Sequence, residues 1–304
     1  MSTIQGVSPA EIDTANPFRI RFSHQTCYQY TGPVEFLRHR LVMRPRESHC
    51  ERLESFKITT KPASTLLWSQ DVFGNILAQA DFSEPSSTLT IESEFVIAKG
   101  PPTTLPMSHH AWEGVEYPIH YAGIEEAAVS LYRSSVYPPD VESLRRWVWS
   151  LNVLPRAGRR GPIFERLASA IHQRIKYRRR EEPGVQTPSE TLALRNGSCR
   201  DTAVLLIEAA RCLGFAARFV SGYMESENSQ LARGSTHAWA EIYCPDRGWM
   251  GFDPSLGQPV GLGHVAVGVS HHPRGVMPIE GTFKTNGNHA AGLTVSISSE
   301  RIVE

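Results

Sequence analysis

The chain has 304 residues, 40% hydrophobic and 20% charged, an ordinary globular composition over a length that suits two domains better than one core. Lys+Arg and Asp+Glu balance at 31 each, so the formal charge is zero, which argues against a chain built as a whole to bind nucleic acid or an anionic membrane surface. The five cysteines (Cys27, Cys50, Cys199, Cys212 and Cys244) form no C-x-x-C pair and read as reduced thiols rather than a disulfide framework.

Residues 1–16 are polar and expected to be flexible; they carry neither the basic start nor the apolar run of a signal peptide. The longest apolar stretches, such as AVLLI, are too short to span a bilayer, so a cytoplasmic protein is expected. From Phe18 the pattern alternates: FRIRFSHQ puts Phe18, Ile20 and Phe22 on one strand face. Strand-like runs follow at SFKITT, STLLWSQ, NILAQADF and LTIESEFVI, with DVFGN (Asp71–Asn75) as a turn. Residues 17–100 therefore predict a β-rich, sandwich-like domain, closed by the prolines of KGPPTTLP.

Residues 101–160 read as a helical connection. In DVESLRRWVWSL, Asp140 is a candidate N-cap, and Val141, Leu144, Val148 and Leu151 share one helical face. A second helix is predicted in GPIFERLASAIHQRIKY, where Ile163, Leu167, Ile171 and Ile175 are four apart. TPSETLALRNG predicts a short helix stopped by Gly197, and a longer one runs from Cys199 to about Leu213, with Gly214 as its C′ glycine. Strands then dominate at ARFVSGYM, HAWAEIY, GWMGFDP and LTVSISS. The fold class is α+β: residues 161–304 form a core of helices on an antiparallel sheet that includes the C-terminal strand.

RNGSCRDTAVLL places Cys199 at a helix start, where unpaired N–H groups and the macrodipole favour thiolate and could hold an oxyanion. Gly197 allows an unusual backbone conformation there, Ser198 can cap, Arg200 can support a thiolate and Asp201 suits a first turn. A nucleophilic thiol needs a base. In THAWAEIYCPDRGWMGFDPS two strands flank a turn, and a turn centred on Pro245 pairs residues whose numbers sum to 490: Tyr243 with Arg247, Glu241 with Trp249, Trp239 with Gly251, and His237 with Asp253. A carboxylate opposite His237 would fix its tautomer and leave the other ring nitrogen for the thiol. Trp239 and Trp249 are candidates to shape a groove, although strand aromatics more often pack in cores. Zinc held by Cys199, His237, Asp253 and the pair His271–His272 is disfavoured, because adjacent residues of an extended chain point opposite ways; no metal or cofactor is expected.

These segments resemble the bacterial transglutaminase-like superfamily: the glycine approach Gly197–Cys199, the AR-x-V-x-GY strand Ala217–Tyr223, the HAW-x-E strand His237–Glu241 and the W-x-x-x-DP strand Trp249–Pro254 occur in order. LVMRPRE and DVFGN resemble the N-terminal domain that accompanies this core. The resemblance implies a papain-like core with Cys199 as nucleophile, His237 as general base then acid, and Asp253 as the orienting residue. It also puts Tyr177 where related enzymes assist an oxyanion or line the cleft, with Ser198 and Trp239 as weaker candidates near the substrate. The expected activity is acyl transfer through a thioester on a peptide or protein amide, hydrolysis being favoured; transamidation and a non-catalytic binding module on the same fold stay open.

Overall fold

The structure is a computed structural model that describes residues 18–48, 50–100, 114–155, 159–180, 182, 184–225 and 236–302. The expected flexible N-terminus and most of KGPPTTLP lie outside these residues. The chain opens with β1 (Phe18–Phe36), β2 (His39–Leu41), β3 (Glu51–Lys61), β4 (Ser64–Gln70), β5 (Ile76–Phe82) and β6 (Ser86–Lys99). Alternation dictates their faces: Ile20, Phe22, Val34 and Phe36 of β1 are buried while Arg21, Gln25 and Glu35 are exposed. One sheet contains β1, β6 and β3, the other β2, β5 and β4. Val34, Phe36, Leu41, Ala78, Leu89 and Ile91 pack in one core cluster between them, as a sandwich requires. Asp71 makes the DVFGN turn: its Oδ1 accepts from the backbone N–H of Phe73 and of Asn75, and Gly74 takes φ +77°.

The second half begins with β7 (Val115–Tyr117), α1 (Ile124–Arg133), α2 (Val141–Ser150), β8 (Arg159–Gly161) and α3 (Ile163–Arg174). Next come β9 (Lys176–Tyr177), α4 (Pro188–Leu194), β10 (Asn196–Gly197) and α5 (Cys199–Cys212). Every residue of α5 from Asp201 to Arg211 is buried, so this helix is the centre of the core rather than an amphipathic cover. Leu144 and Val148 of α2 join Leu167 and Ile171 of α3 in the same cluster, so α2 is part of the core and not only a connection. Two helix ends differ from expectation. Asp140 makes no side-chain bond to α2; its Oδ2 accepts from the Ser189 N–H in the first turn of α4 instead, beside the capping box that Thr187 forms with Glu190. Helix α4 is stopped not by Gly197 but by Arg195, which takes the left-handed φ of +52°.

The core sheet follows: β11 (Ala217–Met224), β12 (His237–Cys244), β13 (Gly248–Asp253), β14 (Gln258–Pro259) and β15 (His264–Ser270), in the order β14-β13-β12-β11-β15. After it come β16 (Ile279–Glu280), β17 (Phe283–Lys284) and β18 (Ala290–Ile302). The C-terminal strand does not close the core. β18 pairs antiparallel with β1 from Arg19↔Ile302 to Tyr30↔Ala290, while β16 pairs with β2 and β17 with β1. The physical reason is the length of β1: without β18, one side of a 19-residue strand would be an open edge. Tyr223, Val265 and Val267 of the core sheet complete a cluster with Ile20, Phe22, Phe95 and Ile97, so the two halves share buried apolar surface. Asn75 fastens the same seam, donating to Val269 O and accepting from Val269 N, both at 2.8 Å.

Candidate active site

Two short elements deliver Cys199. β9 and β10 pair in parallel, Tyr177 beside Gly197, and the Arg178 N–H donates to Gly197 O at 2.8 Å. Gly197 has no positive φ; its missing side chain matters because a Cβ there would lie 2.9 Å from Asp201 Cβ. Asp201 is fully buried and organises the turn. Its Oδ2 accepts from the N–H and the hydroxyl of Ser198 at 2.7 and 2.8 Å, and its Oδ1 from the Gln186 N–H and Arg180 Nη1 at 2.8 Å each. Both donors of Ser198 are therefore spent on the cap, which removes it as an oxyanion donor. The next backbone N–H, that of Cys199, begins α5 with the positive end of the helix dipole behind it.

The β12–β13 hairpin delivers His237 and Asp253. Its pairs sum to 492, not 490: Tyr243 faces Trp249, Glu241 faces Gly251 and Ala240 faces Phe252. The turn centres on Asp246 rather than Pro245, with Gly248 at φ +76°. A shift of two in the sum leaves side-chain parity unchanged, so His237 and Asp253 still meet, diagonally instead of directly. His237 Nε2 lies 2.6 Å from Asp253 Oδ2, and Cys199 is near enough to act on the same imidazole. With Nε2 on the carboxylate, Nδ1 is the ring nitrogen left for sulfur.

A fourth residue, His264 at the start of β15, was not found in the sequence. Its Nδ1 accepts from the Gly261 N–H at 3.3 Å, which puts the proton on Nε2, and Nε2 donates to Asp253 Oδ2 at 3.0 Å. Asp253 Oδ1 accepts from the N–H and hydroxyl of Ser255 and from the Leu256 N–H. Burial alone would raise the Asp253 carboxyl, but its bonds to His237 and His264 hold it far below the usual carboxylate range. Burial would lower His237, and its bond to Asp253 together with the nearby Cys199 outweighs that, lifting it to about 10. No sequence signal marks His264: GLGHVAVG is one more strand with a histidine at its end, and only the β11–β15 pairing, Met224↔His264, brings it to Asp253. His237, Asp253 and His264 are also metal-ligand types whose atoms lie within 4.8 Å of one another, at separations to Asp253 that are hydrogen-bond lengths.

A cavity of about 1130 Å³ reaches Cys199 and His237. Tyr177 lines it, half-buried; burial and the nearby Cys199 push its hydroxyl up to about 12, so it remains a donor. Trp239 does not line it. It is 2% exposed, packs with Val220 and Val269, and meets His264 edge-on at 5.2 Å between ring centroids. Trp249 lies against Arg218 and Tyr132, and Glu241 pairs with Arg218 at 2.7 Å, so neither belongs to the site. His272 lines the cavity with its Nε2 3.0 Å from Tyr137 Oη.

Residues 20–98 match the family model for the bacterial transglutaminase-like N-terminal region, and residues 162–254 that for the transglutaminase-like superfamily core. An uncharacterized protein of Mycobacterium tuberculosis is 28% identical over 307 residues, with 95% of each chain covered. One of Mycobacterium leprae is 23% identical over 306 residues, covering 94% of this chain and 99% of its own. A crystal structure from Cytophaga hutchinsonii, named as a candidate cysteine protease, shares the fold with a TM-score of 0.68 at 15% identity, over 93% of this chain and 91% of that one. With one region in front of the other, the chain belongs to the transglutaminase-like superfamily, a family of cysteine-dependent enzymes.

Proposed function

We propose that the chain hydrolyses an amide or peptide bond through a thioester on Cys199. The observation that carries this reading is the imidazole of His237, bonded to Asp253 at 2.6 Å, with Cys199 acting on it and both lining one cavity. Cys199 Sγ, as thiolate, attacks the carbonyl carbon and forms the C–S bond. The carbonyl oxygen gathers negative charge beside the Cys199 N–H at the head of α5 and the Tyr177 hydroxyl. The C–N bond breaks, and the imidazolium of His237 gives its proton to the leaving amine. Neutral His237 then takes a proton from water as its oxygen attacks the thioester; the C–S bond breaks, the acid product leaves and the thiolate–imidazolium pair is restored.

Water is favoured over an amine acceptor because arginines line the cavity and repel an alkylammonium. The free cysteines suit a reducing compartment, so the proposed place of action is the cytoplasm. The test is to incubate the protein with internally quenched peptides of mixed sequence, quench in acid and weigh the chain. The expected result is a peptide fragment on Cys199 that hydroxylamine removes, cleaved peptide at completion, and no change when a primary amine or EDTA is added. Incorporation of the amine into the peptide would replace hydrolysis with transamidation. No adduct and no cleavage across the peptide mixture would replace both with a binding module.

A further inference from the structure

The chain is neutral as a whole, yet the wall of the cavity at Cys199 is not. Arg179, Arg180, Arg200 and Arg274 line it, and no aspartate or glutamate is among the described lining residues. Arg180 is already engaged, with Asp201 at 2.8 Å and Glu182 at 3.7 Å. Asp201 and Glu208, two buried carboxylates that act on the wall residue Tyr137, are each paired with an arginine, Glu208 with Arg211 at 2.6 Å. Arg200 and Arg274 have no carboxylate partner among the described residues; Arg200 reaches only the Arg180 carbonyl, at 3.4 Å.

The two stand at different places along the cavity. Arg200 follows the nucleophile directly in α5, and its charge acts on the Tyr177 hydroxyl. Arg274 lies in the turn Pro273–Val276, where its charge acts on Tyr137 and His272. Apolar residues, among them Leu293 and Val295 of β18, share the wall with these charges. Charged groups at separate positions on a wall that also carries nonpolar surface suit an extended segment with anionic side chains better than a single compact anion. A guanidinium is matched to a carboxylate, which it can hold through two parallel N–H donors.

We propose that the cavity selects an acidic peptide, seating carboxylate side chains of the substrate on Arg200 and Arg274 with the scissile amide at Cys199. The proposal rests on the amide-hydrolase reading above and names its substrate class.

The probe is a set of internally quenched peptides of one backbone in which each position in turn is Glu, Gln or Lys, assayed with the full chain at low and at high salt. One Glu position or more should exceed its Gln counterpart in kcat/KM by on the order of tenfold, the effect of one charge-assisted hydrogen bond. Lys should fall below Gln, and the Glu advantage should shrink as salt rises. In Arg274→Gln the Glu:Gln ratio should fall towards one at one position; in Arg200→Gln it should fall at another. Equal turnover of Glu, Gln and Lys peptides, or a Glu advantage that both variants retain, overturns the acidic preference and leaves the hydrolase reading standing. If no peptide places an adduct on Cys199, the hydrolase reading fails and takes this proposal with it.

Discussion

Asp253 carries five donors on two oxygens, and its two imidazole bonds are the feature of the site that bears most on its chemistry. A carboxylate that shares its charge with His264 pulls less on the His237 proton than one bonded to His237 alone. In the proposed mechanism His264 is thus a positioning residue that tempers the base. Deacylation in that mechanism needs neutral His237, so His264→Phe, which leaves Asp253 Oδ2 to His237 alone, should move the acid limb of the deacylation rate to higher pH. His264→Gln keeps an N–H donor and should restore most of the wild-type limb. A loss of rate at all pH values with the limb unmoved in both variants would reduce His264 to a packing role. Cys199, His237 and Asp253 were legible because helix-start and hairpin patterns are local in sequence. His264 was not, because its meeting with Asp253 depends on a strand joining the far side of the sheet. Trp239 was misplaced, and Ser198, although it lines the cavity, was misread as a free donor, for a related reason: sequence identifies a ring or a donor but not what already occupies it, here the Val220–Val269 cluster and Asp201.

At the scale of elements, type and position were read well and the junctions less so. Period-two and period-3.6 patterns marked β1, β6, α3 and α5, because burial of one face or of a whole helix writes itself along the chain. The hairpin sum was off by two because CPDRG allows turns on Pro245 or Asp246, and hydrophobicity does not distinguish registers of equal parity. The role of Gly222 also stayed hidden. In β11 it faces His237, and a Cβ added there would lie 2.6 Å from Trp239 Cη2 and press on the Val265 carbonyl. Neither neighbour is the end of a flexible side chain, so Gly222→Ala must displace β12 or β15. It should cost about 1–3 kcal/mol, as overpacking of a filled core does, and lower cleavage as well, because both strands carry histidines of the site. A denaturant midpoint equal to wild type would show that the sheet absorbs the methyl group.

For the whole molecule, the division into an N-terminal β half and a helix-plus-sheet half was visible in the change of period near residue 100, whereas the path of the last strands was not. β18 alternates like any half-buried strand, and nothing local tells whether its partner is β1 or the core sheet. The outcome matters for the site, since the strand that completes the first sheet also places Leu293 and Val295 on the cavity wall. The N-terminal half reaches the site by a second route: Lys99, at the end of β6, pairs with Glu51 and donates to the His264 carbonyl. The β-rich half therefore holds the strand that presents His264 and contributes to the wall, beyond covering the core.

The central claim is that Cys199 and His237 form a reactive thiolate–imidazolium pair. The protein supplies its own controls, because burial pushes the Cys212 thiol up to about 11 and that of Cys244 up to about 12. His237, lifted to about 10, keeps its proton through neutral pH and loses it only as the pH rises through that value. The measurement is the rate of iodoacetamide alkylation at each cysteine against pH, assigned by mass spectrometry, in wild type and in His237→Ala. The account predicts that Cys199 reacts far faster than Cys212 and Cys244 at neutral and mildly acidic pH, and that His237→Ala abolishes this advantage. Equal rates at the three cysteines, or a Cys199 advantage unaffected by His237→Ala, would contradict it.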